Sequence, residues 1–226
     1  STLLKCLLGE LVMVPADASQ PCNINICGSI AYCAQIPWII NATFKDNILF
    51  GHKYDEEFYN KTIKVCQLLP DLAILPDGHE TLVGEKGISL SGGQKARLSL
   101  ARAIYTRADV YLFDDILSAV DAHVGQKLID QVLGKNGILK TKTKILSTNS
   151  IKVLNQSSMI YLLENNTIVE STTFDNIKSG NSEELNKLIQ DAGFKNSETD
   201  TTSEADDSSP IHLSSSSSVD PCDVII

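Results

Sequence analysis

The stretch Ser89-Leu90-Ser91-Gly92-Gly93-Gln94-Lys95-Ala96-Arg97 decides the fold, read with Asp114 and Asp115 at the end of the apolar run Val110-Tyr111-Leu112-Phe113. Ser91 stands where a helix N-cap is wanted, and the residues after it carry a helical pattern to about Thr106. Leu98, Ala101, Ile104 and Tyr105 can form its buried stripe. Two glycines in the first turn let the backbone come close to an anion, which the unpaired N–H groups and the helix dipole attract. Ser91 adds a hydroxyl donor. Four such residues alone also fit an ordinary glycine turn with a serine cap; the passage through helix and strand into two acids favours the anion site. The run before Asp114 lacks polar alternation, as a strand covered on both faces does. A carboxylate at its end can hold magnesium beside phosphate oxygens. Asp115 stands where a general base would take a proton from an attacking water. Aspartate is one methylene shorter than glutamate, and a misplacement of about 1 Å can cost roughly a hundredfold in rate. The plainer alternative is that both acids cap the next helix.

Outward from this centre the chain alternates helix and strand patterns. Residues 1–8 are leucine-rich, break at Gly9 and read as a helix already under way, so a phosphate-binding loop is expected upstream of Ser1. Residues 28–34 read as a strand leading to Gln35. Asp55 to Leu69 predicts a helix, with Phe58, Ile63, Val65, Cys66 and Leu69 on its apolar side. A further helix is expected over about 121–133 and a strand over Lys144–Ser147, with Asn149 just beyond it. Two extended runs around Glu164-Asn165-Asn166 predict a hairpin. Thr173 and Ser182 are N-cap candidates for two short helices. Alternation of this kind predicts a largely parallel sheet covered by helices.

Residues 193–226 differ, with one lysine, seven acids and twelve serines or threonines. Too little apolar surface is present to offset the entropy of ordering, so this stretch is expected to be a disordered linker. Ser197, Thr201, Ser203 and Ser217 each have an acid three residues later, a pattern that suits an acidophilic kinase. The net charge of −9 and the lack of a basic stripe argue against a nucleic-acid partner. The six cysteines are not arranged as metal ligands, and a reduced compartment fits them. The glycan-acceptor tripeptides at Asn41, Asn60, Asn155 and Asn165 are expected to be unused. No run of eighteen apolar residues exists, so any membrane role must come through a partner or through other segments of the polypeptide.

Two longer stretches, Ala42-Thr43-Phe44-Lys45-Asp46-Asn47-Ile48-Leu49-Phe50-Gly51 and Leu82-Val83-Gly84-Glu85-Lys86-Gly87-Ile88 running into Ser89–Ala103, carry a closer likeness. On them the chain resembles the first nucleotide-binding domain of ATP-binding cassette (ABC) transporters of the multidrug-resistance-associated subfamily. Its fungal vacuolar members, exporters of glutathione conjugates, are the most similar. The resemblance covers about residues 1–192 and implies an α/β, P-loop NTPase-like domain, truncated on its N-terminal side. A helical subdomain at about 54–106 would hold the signature motif, and 193–226 would be a linker open to regulation.

The same resemblance implies ATP and Mg2+ as ligands and gives roles to residues. Ser1 would be the phosphate-loop hydroxyl at the metal, with Thr2 beside it on the nucleotide. Gln35 would be the Q-loop residue between nucleotide, metal and the membrane-domain coupling helix, near which Trp38 could pack. Leu90, Ser91, Gly92, Gly93 and Gln94 would be the signature motif, and Asp114 the magnesium acid. Ser118-Ala119-Val120-Asp121 would form the D-loop at the seam with a second nucleotide-binding domain of the same polypeptide. Gln35 alone could also be a solvent-facing polar residue, and Asp121 alone a helix cap. Efficient members of the family carry glutamate at the position of Asp115 and histidine at that of Asn149, so this site is expected to bind ATP and turn it over poorly. The intact signature motif would instead serve the partner's ATP. The expected parent is a multi-pass exporter with this domain on the cytosolic face of a fungal vacuolar membrane. Two other readings are a soluble ABC ATPase without membrane segments and a regulatory module that binds ATP without hydrolysing it.

Overall fold

A computed structural model of the protein describes residues 1–12, 14, 23–85, 87–191 and 223–225. After helix α1 (Thr2–Leu7), strand β1 (Ile30–Cys33) enters a six-stranded sheet. Its other members are β4 (Val110–Asp114), β5 (Thr143–Ser147), β6 (Met159–Glu164), β7 (Thr167–Thr172) and β8 (Asp223–Ile225). The strand order is β1-β4-β5-β8-β6-β7, parallel throughout except for the antiparallel pair of β6 and β7. The expected α/β architecture is thus present. Tyr111, Leu112 and Phe113 are all buried because β4 lies between β1 and β5 with both faces covered.

A second, two-stranded sheet pairs β2 (Ala42–Thr43) with β3 (Leu82–Val83). Around it stand α2 (Phe44–Leu49), α3 (Glu56–Val65) and α4 (Leu69–Ile74). The long helix α5 (Gly92–Tyr105) packs against α2 and α3 and also against β1. It therefore buries more than a stripe: Ala96, Ser99, Leu100 and Ala103 are buried with Leu98, Ala101, Ile104 and Tyr105. After β4 come α6 (Ala122–Leu128) and one turn of π-helix over Ile129–Leu133, together covering the expected helix. The helices α7 (Phe174–Lys178) and α8 (Glu183–Asp191) close the described part of the domain, the first capped by Thr173, whose side chain accepts from Asn176 N–H. No helix among the described residues is long and apolar enough to cross a membrane.

Three expectations differ in detail. The helix from Asp55 stops at Val65, Gln67 turns back with a left-handed φ of 56°, and α4 restarts with Pro70 in its first turn, where the missing N–H costs nothing. Leu69 is consequently exposed instead of joining Ile63 and Cys66 in the core. Residues 223–225, inside the stretch expected to lack structure, form β8. The remainder of that stretch, with Ser197, Thr201, Ser203 and Ser217, lies outside the described residues. The hairpin forms as expected, because Asn165 and Asn166 both take left-handed φ, 48° and 64°, in its tight turn.

The opposite ends of the parallel strands do different work. At the entry edge, Asp109 takes hydrogen bonds from the N–H and hydroxyl of Ser29 at 2.9 Å each and pairs with Lys142 at 3.1 Å, tying together the starts of β1, β4 and β5. Those bonds, the Ser29 N–H first, hold the Asp109 carboxyl at about 2, well below its ordinary value. Gly28 fits beneath it with φ +105°; a Cβ there would stand 2.7 Å from Asp109 Oδ2. The exit edge carries the candidate site.

Candidate functional site

Parallel pairing of β1, β4 and β5 brings their exit ends to one edge of the sheet. Gln35 follows β1, Asp114 ends β4, Asp115 comes next, and Asn149 lies just past β5. A crevice at the carboxyl ends of such strands is where open α/β sheets bind ligands. Asp114 is only 4% exposed. Tyr32 Oη donates to Oδ2 at 3.2 Å, and the backbone nitrogen of Ser1 lies 3.4 Å from Oδ1. Burial first, and then the Asp114 charge, push the Tyr32 phenol up to about 12, so it stays a donor at neutral pH. The structure thus brings Ser1 next to Asp114, through its backbone nitrogen and not its hydroxyl, and adds Tyr32. Thr2 is exposed at the first position of α1.

Gln35 Nε2 donates to Asp115 Oδ2 at 3.1 Å. Asp115 adopts a left-handed φ of 50°, which aspartate tolerates better than most residues. The turn is fixed by Asp115 N–H to Ser147 O at 2.8 Å and by the Ser118 hydroxyl to Asp115 O at 2.8 Å. Asn149 is exposed, and among the described residues no hydrogen bond ties it to Gln35 or Asp115. Asp121 is exposed and caps α6 by accepting the Val124 N–H at 3.0 Å, which draws its carboxyl below the ordinary value.

A separate cluster forms at the start of α5. Ser91 Oγ accepts the Gln94 N–H at 3.3 Å while Gln94 Oε1 accepts the Ser91 N–H at 2.8 Å, a reciprocal capping box. Ser91 Oγ is used as an acceptor, so its own proton remains free to be donated. The N–H groups of Gly92 and Gly93 have no hydrogen-bond acceptor among the described residues. Leu90 is buried beneath them and anchors the turn. A Cβ on Gly92 would meet nothing within 4 Å, whereas one on Gly93 would stand 3.1 Å from the Ala119 carbonyl oxygen. No hydrogen bond or ion pair joins residues 90–94 to Gln35, Asp114 or Asp115 among the described residues. The expected site residues therefore fall into two groups within this one chain.

Several residues that organise these groups are not marked by any sequence motif. Tyr32 is one, seen only once β1 and β4 are in register. Arg102 is another, donating to Asn47 O, Asn47 Oδ1 and Trp38 O, each at 2.8 Å. Asn47 itself is fully buried and bonds Ile40 through its N–H at 3.0 Å and its carbonyl at 3.1 Å. Together they hold the segment after Gln35, on which Ile36 is 83% and Trp38 61% exposed. The Trp38 and Phe50 rings meet edge to face at 5.9 Å, with the Arg102 guanidinium 4.9 Å from the Phe50 ring.

The exit edge thus gathers two carboxylates, a phenol and an amide, and the α5 start presents unpaired backbone N–H groups. Comparison with known proteins gives the family. The family model described as ABC transporter matches residues 1–118. The chain is 57% identical over 196 residues to bile pigment transporter 1 of Saccharomyces cerevisiae, an alignment covering 84% of this chain and 13% of that protein. It is 56% identical over 196 residues to metal resistance protein YCF1 of the same yeast, covering 87% and 12%. Human ATP-binding cassette sub-family C member 2 is 50% identical over 174 residues, covering 77% and 11%. The chain spans about an eighth of the length of the curated relatives it matches. With buried Asp114 at the exit of a central parallel strand, a capped Ser91-Gly92-Gly93-Gln94 helix start and this match over 1–118, the chain belongs to the ABC transporter family, as its ATP-binding module.

Proposed function

We propose that the chain is the first nucleotide-binding domain of a membrane exporter of glutathione conjugates or other organic anions, on the cytosolic face of a fungal vacuolar membrane. Its own ATP site turns over poorly, and its α5 start completes the ATP site of a second nucleotide-binding domain in the same polypeptide. The observation that carries this reading is the free pair of Gly92 and Gly93 N–H groups beside a capped Ser91, with no hydrogen bond to Gln35, Asp114 or Asp115 among the described residues. Such donors favour a terminal phosphate. In a head-to-tail pair of domains, that phosphate is the partner's. The relatives' names, a bile pigment transporter and a metal resistance protein, support the exporter class.

At the exit edge the residues fit ATP with Mg2+. Magnesium takes one or two carboxylates and keeps oxygen ligands from water and phosphate. Asp114, the Ser1 hydroxyl and the Gln35 amide oxygen, whose nitrogen is the atom engaged with Asp115, would make an all-oxygen donor set of that kind. Bound metal supplies neutralisation of phosphate charge. Thr2 lies on the nucleotide side of the same edge, and Asp121 sits at the seam. Asp115 is the residue that accepts a proton from water, but its short side chain is held to Gln35 and turned by a left-handed backbone. Asn149 orients and does not titrate near neutral pH.

Ile36, Trp38 and Phe50, exposed next to Gln35, form the apolar face for a helix of the membrane domains. ATP-driven closure of the paired domains would move that helix because the closed state binds ATP more tightly. The test is nucleotide trapping on the complete parent transporter, each site read separately. Asp115→Glu with Asn149→His raises turnover at this half if the site is degenerate; no gain there contradicts the proposal.

A further inference from the structure

Asp71, in the first turn of α4, is a carboxylate 7% exposed on a short helix whose other residues, Leu69, Pro70, Leu72, Ala73 and Ile74, are all apolar. It accepts from Gln94 Nε2 at 3.1 Å on one oxygen and from Arg97 Nη2 at 2.7 Å on the other. Both donors lie in the first two turns of α5, and the ion pair is itself largely shielded, with side chains 12% and 10% exposed. Charge-assisted bonds in such surroundings are shorter and stronger than neutral ones. Arg97 Nε is buried without a hydrogen-bond partner among the described residues, and its guanidinium is held to Asp71 through Nη2.

Gln94 has two ends, and both are engaged. Its nitrogen is fixed by Asp71, which leaves its oxygen pointing at the Ser91 N–H to complete the capping box. With Ser91 so placed, its hydroxyl accepts from Gln94 N–H and the N–H groups of Gly92 and Gly93 are left without an acceptor among the described residues. Resting on the reading that these groups serve the partner's ATP, we propose that Asp71 is a positioning residue for the partner site. It sets the rotamer of Gln94 and the seat of Arg97, and through them the direction in which the α5 start offers its donors. Asp71 touches no nucleotide itself. A charged residue kept buried at this point has a directional task that an apolar residue of the same volume could not perform.

The experiment uses the full-length transporter in lipid vesicles and reads kcat/KM for ATP alongside the nucleotide-free unfolding midpoint. Asp71→Asn removes the charge that seats Arg97, and Asp71→Glu restores both acceptor oxygens. Asp71→Asn is expected to lower kcat/KM roughly tenfold, read at a temperature well below its unfolding midpoint, which also falls because a shielded guanidinium loses its partner charge. Asp71→Glu is expected to recover most of the loss, which a purely structural role would not require. Should Asp71→Asn fail to accumulate, Gln94→Glu takes its place: it keeps the capping oxygen but loses the donor to Asp71, and the same fall is expected. Ser91→Ala serves as the reference for the partner-site reading. A fall with Ser91→Ala but none with Asp71→Asn or Gln94→Glu overturns the role of Asp71 alone. No fall with Ser91→Ala overturns the partner-site reading and the role of Asp71 with it.

Discussion

Gln35 Nε2 donates to Asp115 Oδ2 at 3.1 Å, while the Asp115 backbone sits in the left-handed region at φ 50°. The amide of one loop thus holds the side chain of a residue whose backbone is already strained. Asparagine and aspartate tolerate that region; longer side chains do so less well. Asp115→Glu, though it extends the carboxylate, is expected to lower folding stability by about 1 kcal/mol, and Asp115→Asn to be close to neutral. Urea unfolding of the chain checks this: the midpoint falls for the glutamate variant with the slope unchanged.

Asn47 is fully buried and satisfies Ile40, Thr43 O and Arg102 at once. Asn47→Leu leaves the Ile40 N–H, the Ile40 carbonyl and a desolvated guanidinium short of partners. Burial already draws the Arg102 guanidinium below its ordinary value. The expected loss is about 3 kcal/mol, summed over several orphaned groups. The loop bearing Trp38 should loosen as well, seen as faster hydrogen exchange at residues 36–40. A stability loss below about 1 kcal/mol would argue that the network is dispensable.

The thiols divide by burial. Cys27 is exposed, whereas Cys33 and Cys66 are buried. Burial pushes the Cys33 thiol from 9.0 up to about 11, and raises Cys66 in the same direction. Native protein at about pH 8 should therefore be alkylated at Cys27 and spared at Cys33 and Cys66 until it unfolds. The linked stability runs one way. Both groups are raised above their unfolded values, so their contribution is whole below about pH 9 and is lost as pH climbs towards the folded value. Unfolding midpoints measured across that window should fall, and Cys33→Ala should flatten the slope.

The helix from Ser91 and the strand Val110–Phe113 could be read from sequence because capping chemistry and an unbroken apolar run are local signals. The exit edge followed from them, since parallel pairing brings Gln35, Asp114 and Asp115 to the same side. What escaped is what packing creates. Nothing near Asp71 announces that it will be buried against Gln94 and Arg97, residues more than twenty positions away. Arg102 reads as a surface helix residue until Asn47 and Trp38 close over it. Pro70 could have signalled the break between α3 and α4, but the left-handed Gln67 before it carries no such mark. Strand β8 pairs with β5 across nearly eighty residues of chain, a distance no periodicity spans.

Gly92 offers the most direct test of the claim that the α5 start binds a partner's phosphate. A Cβ there meets no atom within 4 Å beyond its own helix turn, so a side chain can start there without a clash. Gly92→Glu places a negative charge at a helix start, where it should raise stability by about 0.5 kcal/mol while repelling phosphate. The measurement is ATP turnover at the partner site of the full transporter carrying Gly92→Glu, with unfolding of the same protein as control. Turnover lowered about a hundredfold in a protein of undiminished stability is the predicted result. Unchanged turnover would contradict the account.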